Sequence, residues 1–75
     1  MRRIGKFEIP YRFMKSHPKD CKRIFGKMLI LRAESLDYAF TYEYIAESDL
    51  FDEVSGALPH YEITFYKGHV KATRI

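Results

Sequence analysis

The sequence predicts an α+β fold: a small antiparallel sheet of about five strands with two short helices, in the order β-α-β-β-α-β-β, as one compact domain over residues 1–75. Three observations predict it. Several short runs alternate apolar and polar residues, which is strand periodicity. Two other stretches combine a helix-start residue with an apolar stripe. The last alternating run is split by Lys67-Gly68, a glycine-containing two-residue hairpin turn.

In the first strand, Lys6-Phe7-Glu8-Ile9 alternates, and Phe7, Ile9, Tyr11 and Phe13 share parity. Pro10 demotes the far end to an edge or a bend. Gly5 breaks parity with Ile4 and reads as a bulge. His17-Pro18 opens the first helix, with Ser16 or His17 as its cap and Pro18 in the first turn. Cys21, Ile24 and Phe25 form its apolar face, and Gly26 its stop. Lys27 to Ala33 is expected as a strand with a continuous apolar run, central and covered on both faces. Asp37 to Ala46 reads as the clearest strand, with Tyr38, Phe40, Tyr42 and Tyr44 on one side. That aromatic side is either core or a binding surface. Ser48 can cap a second helix whose apolar side is Leu50, Phe51 and Val54, ending at Gly56 and Pro59. In the final hairpin the turn pairs Phe65 with Val70 and Ile63 with Ala72 on one face, and Thr64 with Lys71 and Glu62 with Thr73 on the other.

Composition bounds what such a chain can be. Hydrophobic residues make up 47% and charged residues 31%, a globular balance. Seventy-five residues leave room for one core. A domain this small buries only about 60% of its unfolded surface, so its stability is marginal. Cys21 is the only cysteine, which excludes an internal disulfide and fits a reducing compartment. Met28 to Leu31 is the longest aliphatic run, far short of a bilayer span, and no apolar stretch follows Met1-Arg2-Arg3 as a signal peptide requires. A soluble, cytoplasmic protein is expected.

Charge is segregated along the chain. Residues 1–33 carry ten Lys/Arg against Glu8 and Asp20; residues 34–65 carry eight acids and no Lys or Arg; residues 66–75 add Lys67, Lys71 and Arg74. Either the segments neutralise each other across the fold, or they form two oppositely charged faces used for binding.

Catalytic and metal patterns are thin. His17 and Cys21 are four apart, but Cys21 belongs to the apolar stripe, where a small buried cysteine is the simpler reading. His17, Cys21, His60 and His69 lack zinc-site spacing. Asp49, Asp52 and Glu53 read as a solvated acidic face. No phosphate loop, nucleophile elbow or carboxylate pair is present. No enzyme activity, cofactor or metal is therefore expected.

For nucleic acid, the β-α-β-β-α-β order invites one comparison. Tyr38-Ala39-Phe40-Thr41-Tyr42 resembles part of the aromatic signature on the third strand of the RNA-recognition motif family, which implies bases stacked on exposed rings. The match covers these five residues. Leu36 and Asp37 replace the family's basic residue and glycine, Glu43 stands where an aromatic is expected, and the first strand lacks the companion signature.

A protein surface is the stronger expectation. Arg12, Lys15, Lys19, Lys22, Arg23 and Lys27 offer a basic face around the first helix, flanked by Arg2, Arg3 and Arg32. Tyr11, Tyr44, Tyr61 and Tyr66, with Asp49, Asp52 and Glu53, offer a partly exposed aromatic and acidic face suited to steered protein recognition. The leading reading is a small non-enzymatic protein that docks on a larger protein or nucleoprotein complex and modulates or inhibits it. In size and compactness it is similar to accessory proteins of bacterial viruses that inhibit host defence or transcription complexes. The alternative is a nucleic-acid-binding module using the basic N-terminal third. A homo-oligomer, formed through a sheet edge or holding a nucleotide between subunits, stays open.

Overall fold

The computed structural model describes residues 3–53, 56–66 and 68–75. Its elements are β1 (Ile4–Pro10), α1 (Tyr11–Ser16), α2 (Pro18–Gly26), β2 (Leu29–Leu36), a 3-10 turn (Asp37–Ala39), β3 (Thr41–Glu47), β4 (Tyr61–Tyr66) and β5 (His69–Arg74). The expected five strands are present and the class is α+β. They form two antiparallel sheets, not one: a three-stranded sheet ordered β1-β3-β2 and the hairpin β4-β5. The two meet through one parallel bridge, Lys6 to His60, where the Lys6 N–H donates to the Pro59 carbonyl at 2.9 Å.

The hairpin register is the one the turn and the alternation require: Phe65 faces Val70, Thr64 faces Lys71, Ile63 faces Ala72 and Glu62 faces Thr73. Gly68 adopts φ 81°, the left-handed backbone such turns demand. Lys67, the other turn residue, lies outside the described residues.

β1 keeps its alternation, burying Phe7 and Ile9, but ends at Pro10. Proline fixes φ at −61° there and turns the chain into α1. Tyr11 and Phe13 therefore lie on a helix and not on the strand their parity indicated. Gly5 is not a bulge: it pairs regularly with Ala46. A Cβ on it would lie 2.6 Å from the Tyr61 ring and 3.0 Å from the Phe51 ring, so glycine is there to admit two aromatic rings.

His17 separates the helices, and Pro18 opens α2 as expected. Neither Ser16 nor His17 caps it through a side chain; the Ser16 hydroxyl donates back to the Arg12 carbonyl at 2.7 Å. Of the predicted stripe Cys21, Ile24 and Phe25, α2 buries the first two and half-buries Phe25, and it stops at Gly26.

The expected central strand is an edge. Among the described residues β2 pairs with β3 alone, and Leu29 and Leu31 are 61% and 42% exposed. A register shift between Ile30 and Arg32 explains why its apolar run does not alternate: the extra residue is a β-bulge. β3 takes the centre, between β1 and β2. It begins at Thr41 and not at Asp37. Hydrogen bonds to Asp37 from the Tyr11 and Ser35 hydroxyls, at 2.8 and 2.9 Å, hold a turn in place of the strand start. Phe40 closes that turn at φ 51°, ψ 45°.

The predicted second helix is absent among the described residues; Val54 lies outside them. Ser48 still makes a cap-like bond, accepting the Leu50 N–H at 3.1 Å. The backbone beyond is claimed by tertiary partners instead of helical ones: Arg3 donates to the Phe51 carbonyl at 2.9 Å, and the Asp52 N–H donates to the Tyr61 hydroxyl at 2.8 Å.

The core joins both sheets and α2 through Phe7, Ile9, Cys21, Ile24, Tyr44, Ala46, Phe51 and Tyr61. Rings run through it in sequence: Phe25 on Tyr44 (5.2 Å), Tyr44 on Phe7 (5.4 Å), Phe7 on Phe51 (6.3 Å) and Phe51 on Tyr61 (4.6 Å).

Candidate functional site

The helical pair turns one face to the sheet and the other to solvent. α2 packs inward through Cys21, Ile24 and the partly buried Phe25. On the outer side Arg12, Lys15, Lys19, Lys22, Arg23 and Lys27 are all exposed. Asp20 is the single acid between Tyr11 and Met28. Of the six predicted basic residues, Lys19 and Arg23 line one hollow at the helix junction, whereas Lys27 follows α2 and lines another with Arg3, Glu47 and Asp49.

Two ion pairs among the described residues involve cations of the N-terminal third. Arg23 meets Asp20 at 3.7 Å, one turn away on its own helix, and Arg32 meets Glu34 at 3.6 Å along β2. Both pairs join near neighbours, and both are exposed enough to contribute little to stability. Arg23 also reaches the hairpin, its Nη1 3.4 Å from where a Cβ on Gly68 would sit. The cationic surface therefore continues onto the β4-β5 turn. At the α1-α2 junction an open hollow of about 420 Å³ is lined by Ser16, His17, Pro18, Lys19, Asp20 and Arg23. The His17 ring stacks on Phe13 at 4.9 Å, and its Nδ1 lies 2.8 Å from the Ser16 hydroxyl.

The expected aromatic and acidic face does not assemble. Tyr44 and Tyr61 are buried, at 7% and 3% exposure, because their rings complete the core stack. The Tyr66 side chain lies outside the described residues. Tyr11 is half-buried against Tyr42, ring centroids 4.4 Å apart, and its hydroxyl bonds Ser35 and Asp37. Those bonds hold the Asp37 carboxyl below its ordinary range, the Tyr11 hydroxyl contributing most and Ser35 next. Asp49, Asp52 and Glu53 are exposed, but follow β3 at the opposite end of the sheet from Tyr11.

The aromatic run 38–44 splits in two. Tyr44 is core and Tyr42 packs against it, whereas Tyr38 and Phe40 are 85% and 72% exposed. Alternation had placed all four on one side. Asp37, a turn-former, was the available signal for the break; the left-handed backbone at Phe40 has none in the sequence. The Tyr11 N–H donates to the Phe40 carbonyl at 3.0 Å, which sets the exposed pair beside the start of α1 and its Arg12.

Cys21 is buried, and burial, aided by the Asp20 charge, raises its thiol above the ordinary value. Such a thiol is a weak nucleophile. Among the described residues no His, Cys, Asp or Glu set is grouped to hold a metal ion, and no helix is long and apolar enough to cross a membrane. No protein-family model, curated protein or solved structure matches the chain.

Proposed function

We propose that this chain is a non-enzymatic binding domain that docks through the outer surface of α1 and α2 on an acidic region of a larger protein or nucleoprotein complex, and modulates or inhibits that complex. One observation carries the reading. Arg12, Lys15, Lys19, Lys22, Arg23 and Lys27 are exposed along a stretch of chain that holds one acid, Asp20, which supports a cationic surface available to a partner. The open hollow at the helix junction suits an interlocking surface better than an enclosed small ligand.

A second reading, nucleic-acid binding, is favoured by Tyr38 and Phe40. They stand exposed beside Arg12, as stacking platforms stand beside cationic tracks. Titration of labelled single-stranded RNA and duplex DNA at two salt concentrations separates the readings. A protein-docking surface leaves both probes weakly bound. Tight binding that collapses with salt makes nucleic acid the ligand.

A further inference from the structure

β2 pairs with β3 along one edge, and among the described residues no strand pairs with the other. Six of its eight residues are exposed. Native edges are commonly blunted by proline, charged side chains, β-bulges or a covering segment. The sequence Leu-Ile-Leu-Arg-Ala-Glu-Ser-Leu contains no proline or lysine; its bulge lies at the Leu29–Arg32 end and leaves Arg32–Leu36 as a regular stretch, whose two charges, Arg32 and Glu34, are of opposite sign.

We propose that this edge pairs with β2 of a second copy of this chain, antiparallel and two-fold symmetric about Ala33, joining the two three-stranded sheets into one. This goes beyond the docking function, which uses the outer surface of α1 and α2. The register follows from charge. Side chains alternate across a sheet, so a symmetric pairing can shift only in steps that preserve the faces. Centring on Ala33 sets Arg32 of each copy opposite Glu34 of the other. The neighbouring registers set Arg32 against Arg32, or Glu34 against Glu34, which like charge disfavours.

The cross-strand rows point the same way. On the sheet face away from the helices, Glu8, Glu43 and Glu34 lie side by side across β1, β3 and β2. The next row is Lys6, Ile45 and Arg32. Three adjacent carboxylates repel one another within one copy. In the dimer the acidic row of each copy runs into the basic row of the other, so Glu34, already 3.6 Å from Arg32 of its own chain, gains a second guanidinium.

Apolar exposure agrees. Of six large apolar side chains exposed among the described residues, Leu29, Leu31, Tyr38 and Phe40 lie on β2 or within four residues of its end. The two-fold brings Leu29 and Leu31 of one copy toward the Leu36–Phe40 end of the other, so both clusters lose water together.

The test is sedimentation velocity of the full chain over a range of concentrations, with Arg32→Glu, Glu34→Arg and the double variant. Wild type is expected as a monomer–dimer equilibrium. Each single reversal creates two like-charge contacts and weakens dimerisation about tenfold or more. The double variant restores complementarity and returns it to near wild type. Ala33→Cys, oxidised, is expected to give a covalent dimer, because residue 33 faces itself across the axis with Cβ atoms about 5 Å apart. This readout holds even if a single charge variant folds poorly. A wild-type chain that stays monomeric, a dimer indifferent to both reversals, or singles that weaken it without recovery in the double would each overturn the proposal. A strand of a different protein as the true occupant gives the first of these results.

Discussion

Ser48 holds three segments together. Its N–H donates to the Arg3 carbonyl at 2.9 Å and its hydroxyl to the Lys27 carbonyl at 2.7 Å, while its oxygen accepts from Leu50. It is buried, so Ser48→Ala strips the Lys27 carbonyl and the Leu50 N–H of their partners. A loss of about 1–3 kcal/mol is expected in urea unfolding; an unchanged midpoint would show that the bonds are replaceable. The sequence marked Ser48 as a cap but carried no sign of its long-range partners, because capping is local and Lys27 is distant. Buried titratable groups give a pH prediction at the same scale. Burial, with Asp20, raises the Cys21 thiol above 9.0, and burial, with Tyr42 and Cys21, raises the Tyr44 phenol above 10.0. The folded state therefore holds these protons more tightly than the unfolded chain. That stability is complete below the unfolded values and is lost as pH rises through the folded ones. The urea midpoint is expected to fall from about pH 9 upward, and Cys21→Ala to remove the first part of the fall. A midpoint level to about pH 11 would contradict this.

At the scale of elements, β1 is where glycine and aromatic packing meet. Gly5→Ala drives a methyl into Tyr61 and Phe51, both buried and ring-stacked, so neither can swing away. Overpacking of this kind costs about 1–3 kcal/mol, and a melting temperature lower by several degrees is expected. An unchanged melting temperature would mean that the hairpin can shift outward cheaply. The β4-β5 hairpin was legible to the residue because its turn and its alternation agree. β1 and α2 were legible in their buried faces, since Phe7 and Ile9, then Cys21 and Ile24, follow the simple periods. The failures have one physical root. Periodicity reports which residues are apolar, not which neighbour covers them. Thus β2 read as central although its leucines face solvent, and Tyr38 and Phe40 read with Tyr44 although a turn held by Asp37 parts them. The helix expected after Ser48 lost to tertiary bonds from Arg3 and Tyr61 that no local window contains.

For the whole molecule, the charge segregation of the sequence is only partly carried into space, because Lys6 and Arg32 share a sheet face with Glu8, Glu43 and Glu34. The helices carry the exposed cations of the N-terminal third, and β3 brings the carboxylates of the middle third into the sheet beside β1. The exposure of the basic residues was legible because five Lys and Arg on consecutive short helices, with Lys27 just beyond, cannot all be buried. The aromatic half was not, because a small core needs large rings and took Tyr44 and Tyr61 for itself. The central claim is that the helical surface binds the partner. Its most direct test is capture from a nuclease-treated bacterial lysate by three tagged proteins: wild type, Lys19→Glu/Lys22→Glu/Arg23→Glu, and Glu62→Lys as a control on exposed β4. Circular dichroism verifies that each is folded. A discrete protein partner retained by wild type and the control, and lost with the triple reversal, is the expected result. A partner held equally by all three would contradict the assignment of the helical face.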